Sequence, residues 1–166
     1  MEIRPLSREN IEDAIKLANA VFPNDTLYEH SPAQVFEASL EPAAHKDYWK
    51  RNKLKLLENF VAYDEKQEII GVTGLYRRKD DPEDVVWLGW YCVDFEKRGK
   101  GYGKAILVWT IKAARERGFK VMKLWTTEDP NEAIAQKLYK KLGFKITSEE
   151  SRKDQRYKVL YRELKI

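Results

Sequence analysis

A chain of 166 residues with a 43% hydrophobic share and five tryptophans can bury a full core in one domain, residues 1–166, and is too apolar to be disordered. No apolar run approaches the length of a membrane span, and the opening Met1, Glu2, Ile3, Arg4 is no secretory leader, so the expected location is cytoplasmic. One cysteine, Cys92, excludes an internal disulfide, two histidines argue against a metal site, and a net charge of +4 with no basic block argues against a nucleic-acid partner.

Residues 2–6 read as a short first strand. Ser7 stands where a cap would start a helix over residues 9–21, with Ile11, Ala14, Ile15 and Ala18 as its apolar stripe. Pro23, Asn24 and Asp25 stop it. Ser31 followed by Pro32 signals a second helix through Leu40, and Pro42 breaks it. A third helical pattern covers residues 45–58, carrying Tyr48, Trp49, Leu54 and Leu57. Residues 24–58 as a whole are expected to be a helical segment on the acceptor side.

From Asn59 the period becomes that of strands. Residues 60–63 and 69–76 form a hairpin around the polar turn 64–68. Residues 85–94, rich in β-branched and aromatic side chains, are a buried strand. Trp87 and Trp90, an odd number apart in this strand, are expected to face opposite layers, one in the core and the other bordering the acceptor site. A helix over residues 103–117 ends at Gly118, and residues 121–126 form the next strand. Asp129, Pro130 and Glu132 have the chemistry of a capped helix start with a capping box, and Gly143 ends that helix. Residues 144–148 and 157–164 are the closing strands. The expected fold is α/β in three layers, a mixed sheet of about seven strands flanked by helices.

Between the strand at 85–94 and the helix that follows lies Arg98, Gly99, Lys100, Gly101, Tyr102, Gly103, Lys104. Alternate glycines bring the backbone close to a ligand, and the first N–H groups of the helix carry partial positive charge. Lys97, Arg98, Lys100 and Lys104 add full charges, so the stretch reads as a phosphate cradle. A P-loop needs glycine at 98 and Ser or Thr at 105, where Arg98 and Ala105 stand. The dinucleotide fingerprint needs glycine at 104, which is Lys104.

The pattern that fits is Arg98-x-x-Gly101-x-Gly103, followed at the second helix by Ala135-x-x-Leu138-Tyr139-x-x-x-Gly143-Phe144. These two motifs in this order resemble the core of the GNAT superfamily of acyl-CoA-dependent N-acetyltransferases, over roughly residues 60–148. The resemblance implies a largely antiparallel twisted sheet with a splayed central parallel pair. It implies acetyl-CoA as co-substrate, the backbone of Tyr91, Cys92 and Val93 pairing with its pantetheine arm, and the amides of residues 99–104 holding its pyrophosphate. It also implies Tyr139 as the general acid that protonates the departing thiolate. An amine-bearing small molecule or protein would be the acceptor, and the chain a monomer or homodimer.

Two positions depart from the family pattern. Its usual asparagine lies seven residues before the tyrosine, where Glu132 stands; Asn131 is eight before, rotated by roughly 80° on a helix. Either Asn131 still reaches the cofactor, or it only helps to start the helix. The family's frequent glutamate base falls at Gly89, which leaves Glu83, Asp84, Glu128 and Asp129 as candidate bases and equally as solvated charges. The missing glutamate motivates an alternative, a non-catalytic acyl-CoA-binding module. Cys92, behind an aromatic pair in a buried strand, reads as an inert thiol. His30 and His45, with Tyr28, Tyr48 and Trp49, read as acceptor-pocket or packing residues.

Overall fold

The computed structural model describes residues 1–23, 30–151 and 156–166. Its sheet has eight strands: β1 (Glu2–Pro5), β2 (Leu54–Tyr63), β3 (Ile69–Arg78), β4 (Val85–Leu88), β5 (Cys92–Val93), β6 (Val121–Thr127), β7 (Lys145–Glu150) and β8 (Val159–Lys165). They lie in the order β1-β2-β3-β4-β6-β8-β7, with β5 also on the edge of β3. Every pairing is antiparallel except that of β4 with β6.

Among the described residues, five helices flank the sheet. On one face α1 (Ile11–Val21), α2 (Pro32–Leu40) and α3 (Lys46–Arg51) bury Ile11, Ala14, Ala18, Phe36 and Tyr48 against Val61, Val72 and Cys92. On the other, α4 (Tyr102–Glu116) and α5 (Ala133–Lys141) bury Leu107, Ile111, Ala114 and Tyr139 against Phe60, Leu75, Val86, Met122 and Leu124. This is the expected three-layer α/β arrangement. Inside it, Thr73 of β3 and Thr110 of α4, both fully buried, share a 2.8 Å hydroxyl–hydroxyl bond that fixes α4 on the sheet.

Three expectations change. The third helix is only one and a half turns long: Lys53 adopts a left-handed φ of 52° and the chain turns directly into β2. Leu54 and Leu57, three apart, mimic a helical stripe. A register slip between Leu54 and Leu56 lets both face the same layer from a strand. Trp49 serves packing here, its indole N–H donating to the Ala38 carbonyl at 2.8 Å. Ser7 does not cap α1 with its hydroxyl; its amide donates to the Asn10 side chain at 2.8 Å while its carbonyl accepts from the Asn10 and Ile11 amides, so α1 starts at Ile11. By contrast Ser31 caps α2 as expected, accepting from the Gln34 amide at 3.3 Å with Pro32 first in the helix.

The third change matters most for the site. The strand expected over residues 85–94 is two strands, which is why the sheet has eight. Leu88 pairs with Leu75 and Cys92 with Val72, so three residues, Gly89, Trp90 and Tyr91, oppose two, Thr73 and Gly74. That is a β-bulge, and it turns the side chains after it over. Trp87 stacks on Tyr76 at 5.9 Å and Trp90 packs on Phe22 at 5.2 Å, and Tyr76, Trp90 and Phe22 all lie against the α1–α3 cluster. The two tryptophans therefore share a face, contrary to the expectation for an unbroken strand.

Candidate active site at the splayed strands

The parallel pairing of β4 with β6 holds only at Val85–Val121, Val86–Met122 and Trp87–Lys123. Past that point the strands part. Cys92 and Val93 pair with β3 alone, and residues 124–127 pair with β8 alone. Between them lies a wedge with one unpaired backbone edge on each side, the splay that the sequence motifs implied.

The bulge at the apex is held by close backbone contact. The Gly89 amide donates to the Gly74 carbonyl at 2.8 Å, and a Cβ on Gly89 would stand 3.2 Å from the Gly74 carbonyl carbon. No side chain fits there without movement, which gives a physical reason for the missing carboxylate. Glu83 and Asp84 precede β4, at the end of the parallel pair opposite the wedge; Glu83 is exposed near Lys55. Glu128 and Asp129 follow β6 on the wedge side. Asp129 is occupied as a cap, accepting from the Asn131 amide at 2.8 Å.

On the first lip, the Asp94 carboxylate accepts from the Glu96 amide and starts a short 3-10 turn, Phe95–Lys97. Gly99 and Gly101 then take φ of 79° and 83°, conformations open to glycine and strained for other residues. Helix α4 starts directly after Gly101 with no side-chain cap; its first bond runs from the Ala105 amide to the Gly101 carbonyl. The amides of Tyr102, Gly103 and Lys104 are left pointing out of the helix end, where the macrodipole is positive. Lys100 and Lys104 are exposed. Lys97 does not join them, because it forms ion pairs with Asp64 at 3.0 Å and with Glu68. Arg98 turns inward, its Nε donating to the Val93 carbonyl at 3.2 Å and its guanidinium 4.0 Å over the Phe95 ring.

The second lip is built of buried side chains. Tyr139, on α5, is 6% exposed, with its ring 6.1 Å from Tyr91 and 5.8 Å from Phe144. Tyr91 joins the lips: its hydroxyl donates to the Gly103 carbonyl at 2.8 Å while its ring faces Tyr139. Burial pushes the Tyr139 phenol well above its ordinary pKa, with Tyr91, Glu132 and Cys92 acting in the same direction and Arg162 against them. Burial likewise pushes the Cys92 thiol up to about 12, so it stays protonated at neutral pH, in line with an inert thiol.

Glu132 does not close a capping box. Its carboxylate accepts from the Thr126 and Thr127 hydroxyls and the Thr127 amide, which ties the turn before α5 to the end of β6. Asn131 sits in the 3-10 turn Pro130–Glu132 with an exposed side chain. His30 contacts the Tyr48 hydroxyl at 3.2 Å through Nδ1, and His45 stands at the start of α3. Tyr28 lies outside the described residues.

Sequence reasoning missed Gln136 and Arg162. Arg162 is 8% exposed on β8, donating to Gln136 Oε1 at 2.6 Å, and Gln136 in turn donates to the Thr127 carbonyl at 2.6 Å. Its signal was present in the alternation Leu160-x-Arg162-x-Leu164, in which an arginine takes an inward position between two leucines.

A family model described as Acetyltransferase (GNAT) family matches residues 24–144. Among solved structures, a ribosomal-protein-alanine N-acetyltransferase from Brucella melitensis superposes with a TM-score of 0.69 at 20% identity, covering 100% of both chains. An aminoglycoside 6'-acetyltransferase type Ii gives 0.73 at 19% identity, over 99% of this chain and 97% of that one. An aminoglycoside 6'-N-acetyltransferase complexed with coenzyme A gives 0.72 at 17% identity, over 99% and 97%. At these identities the likeness is one of fold. No curated protein matches the chain in sequence.

Proposed function

Because this chain belongs to the acetyltransferase (GNAT) family, we propose that it carries an acetyl group from acetyl-CoA to a primary amine by direct transfer. The observation that carries this reading is the wedge: two parallel strands that stop pairing, with a glycine-rich helix start at one lip and a buried tyrosine at the other. Acetyl-CoA supplies an activated acyl thioester and a thiolate leaving group. The cradle suits its diphosphate, since positions 99 and 101 have open space where a Cβ would stand, and the α4 amides face outward uncapped.

In this reading the amides of Gly99, Lys100, Gly101, Tyr102, Gly103 and Lys104 hold the diphosphate, with Lys100 and Lys104 adding charge. Arg98 acts differently, bracing the turn against Val93. The free edge of Tyr91, Cys92 and Val93 aligns the pantetheine arm, and one N–H of that edge stabilises the oxyanion as the amine attacks. Tyr139 gives its proton to the leaving sulfur. Its raised pKa keeps the phenol protonated at neutral pH, as a general acid requires. Asn131 offers an exposed amide beside the second lip. The acceptor side is the face of α1–α3, and the acceptor is an amine of a small molecule or a protein.

A panel of amines incubated with acetyl-CoA, read by release of free thiol, tests the proposal. Thiol release with at least one amine supports it. Binding of acetyl-CoA by calorimetry with no release from any amine would assign the fold to a cofactor-binding module instead.

A further inference from the structure

Among the described residues Arg162 is a cation without an anion. It lies on β8 opposite Leu124, under α5, and among the described residues no carboxylate comes within ion-pair distance of it. Its Nη2 donates to Gln136 at 2.6 Å, its Nη1 reaches the Phe144 carbonyl at a long 3.5 Å, and its buried Nε has no hydrogen-bond partner among the described residues. Taking a guanidinium out of water without a counter-charge is costly, and replacing it with an apolar residue of similar volume is often neutral or stabilising. Packing therefore gives no reason for an arginine here.

Its position supplies one. Gln136 is one helical turn before Tyr139 on α5, and Phe144 packs its ring 5.8 Å from the ring of Tyr139, while the Phe144 amide donates to the Tyr139 carbonyl at 3.0 Å. The two residues that hold the guanidinium therefore stand just before and just after Tyr139 along the chain. We propose that Arg162 is a positioning residue for proton delivery, a fixed buried charge that stabilises the Tyr139 phenolate formed when the proton leaves. The inference rests on Tyr139 acting as the acid. Tyr139 gives its Oη proton to the sulfur as the thioester C–S bond breaks, the bonding pair goes to sulfur, and the negative charge left behind falls on Oη. The charge is short-lived, since the proton released by the acetylated ammonium restores the phenol.

The surroundings of Tyr139 agree with this role. Tyr91 faces it from the strand side, Cys92 lies on the far face of the same strand and Glu132 in the turn before α5, and all three disfavour the phenolate, as does burial. Among the described residues Arg162 is the group acting on Tyr139 that favours it, and Tyr139 the group that offsets the desolvation of Arg162.

A double-mutant cycle with Tyr139→Phe is the test. Arg162→Met should lower kcat about tenfold with the KM for acetyl-CoA little changed, and Arg162→Lys should restore most of the rate. In the Tyr139→Phe background Arg162→Met should cost nothing further. The second readout needs no substrate: with 3,5-difluorotyrosine at position 139, the phenol midpoint followed by 19F NMR should rise by about one pH unit in Arg162→Met. Arg162→Gln gives the same comparison should the Met variant not fold. Equal losses in both backgrounds, or an unmoved midpoint, would overturn the role of Arg162 and leave the acetyltransferase reading intact. An unaltered rate in Tyr139→Phe alone would instead remove the acid on which both depend.

Discussion

The two lips of the wedge are made in opposite ways. The first uses main chain: consecutive residues, positive φ at two glycines and an uncapped helix start, all close to solvent. The second uses side chains: Tyr139 from α5, Tyr91 from the bulge and Arg162 from the middle of β8, all largely removed from water. Holding a diphosphate needs many weak donors with little demand on side-chain identity. Moving one proton needs a single group in a tuned, dry setting. The lips therefore differ in what breaks them.

The largest effect should come from the main-chain lip. Gly101→Asp places a Cβ and a negative charge at a φ of 83°, and calorimetry should find acetyl-CoA binding weakened at least about a hundredfold. Tight binding by this variant would place the diphosphate elsewhere. Tyr139→Phe should act on the other parameter, lowering kcat by about one to two orders of magnitude with acetyl-CoA affinity little changed. A variant with normal kcat and weak binding would reverse the assignment of the two lips.

The β2–β3 pairing behind the bulge can be stressed without touching either lip. A Cβ on Gly74 would stand 2.5 Å from the Asn59 side-chain oxygen and 3.0 Å from the Glu58 carbonyl. Gly74→Ala should cost about 1–3 kcal/mol in urea unfolding by overpacking. No measurable loss would mean that β2 and β3 can separate at the bulge. The smallest effect lies outside the wedge. Asp64 accepts from the Lys66 and Glu68 amides and pairs with Lys97, and these partners, the Glu68 amide first, hold its carboxyl below the ordinary value. A depressed folded-state pKa means stability that is present above the unfolded value of about 4 and lost as pH falls. The melting temperatures of Asp64→Asn and the parent should thus differ at pH 7, and the gap should narrow as the pH falls below about 4; a gap that does not narrow on acidification would locate the contribution in packing.

The same division explains what could be read from the sequence. The cradle is contiguous, so Arg98, Gly101 and Gly103 carry it in one line of text, and the apolar period of α4 supplies the helix behind it. Tyr139 could be nominated from the sequence because its helix carries the spacing of the family motif it resembles. Arg162 and Gln136 become neighbours only once β8 has crossed the sheet to lie beside β6, a pairing across almost forty residues that no local pattern records. The bulge was hidden for another reason. Side-chain alternation in residues 85–94 is masked by burial on both faces, so an extra residue leaves no break in the hydrophobic run. The misread helix at 45–58 is the converse, a slip in β2 that produced a false period of three.

That extra residue also makes the cleft a matter of counting. Deleting any one of positions 89, 90 or 91 would let the strand run on in step with β3, with Cys92 still opposite Val72, and would remove the bend that leads the chain away from β6. Point substitutions can roughen or weaken the gap, but its existence is written in the length of the chain between Leu88 and Cys92.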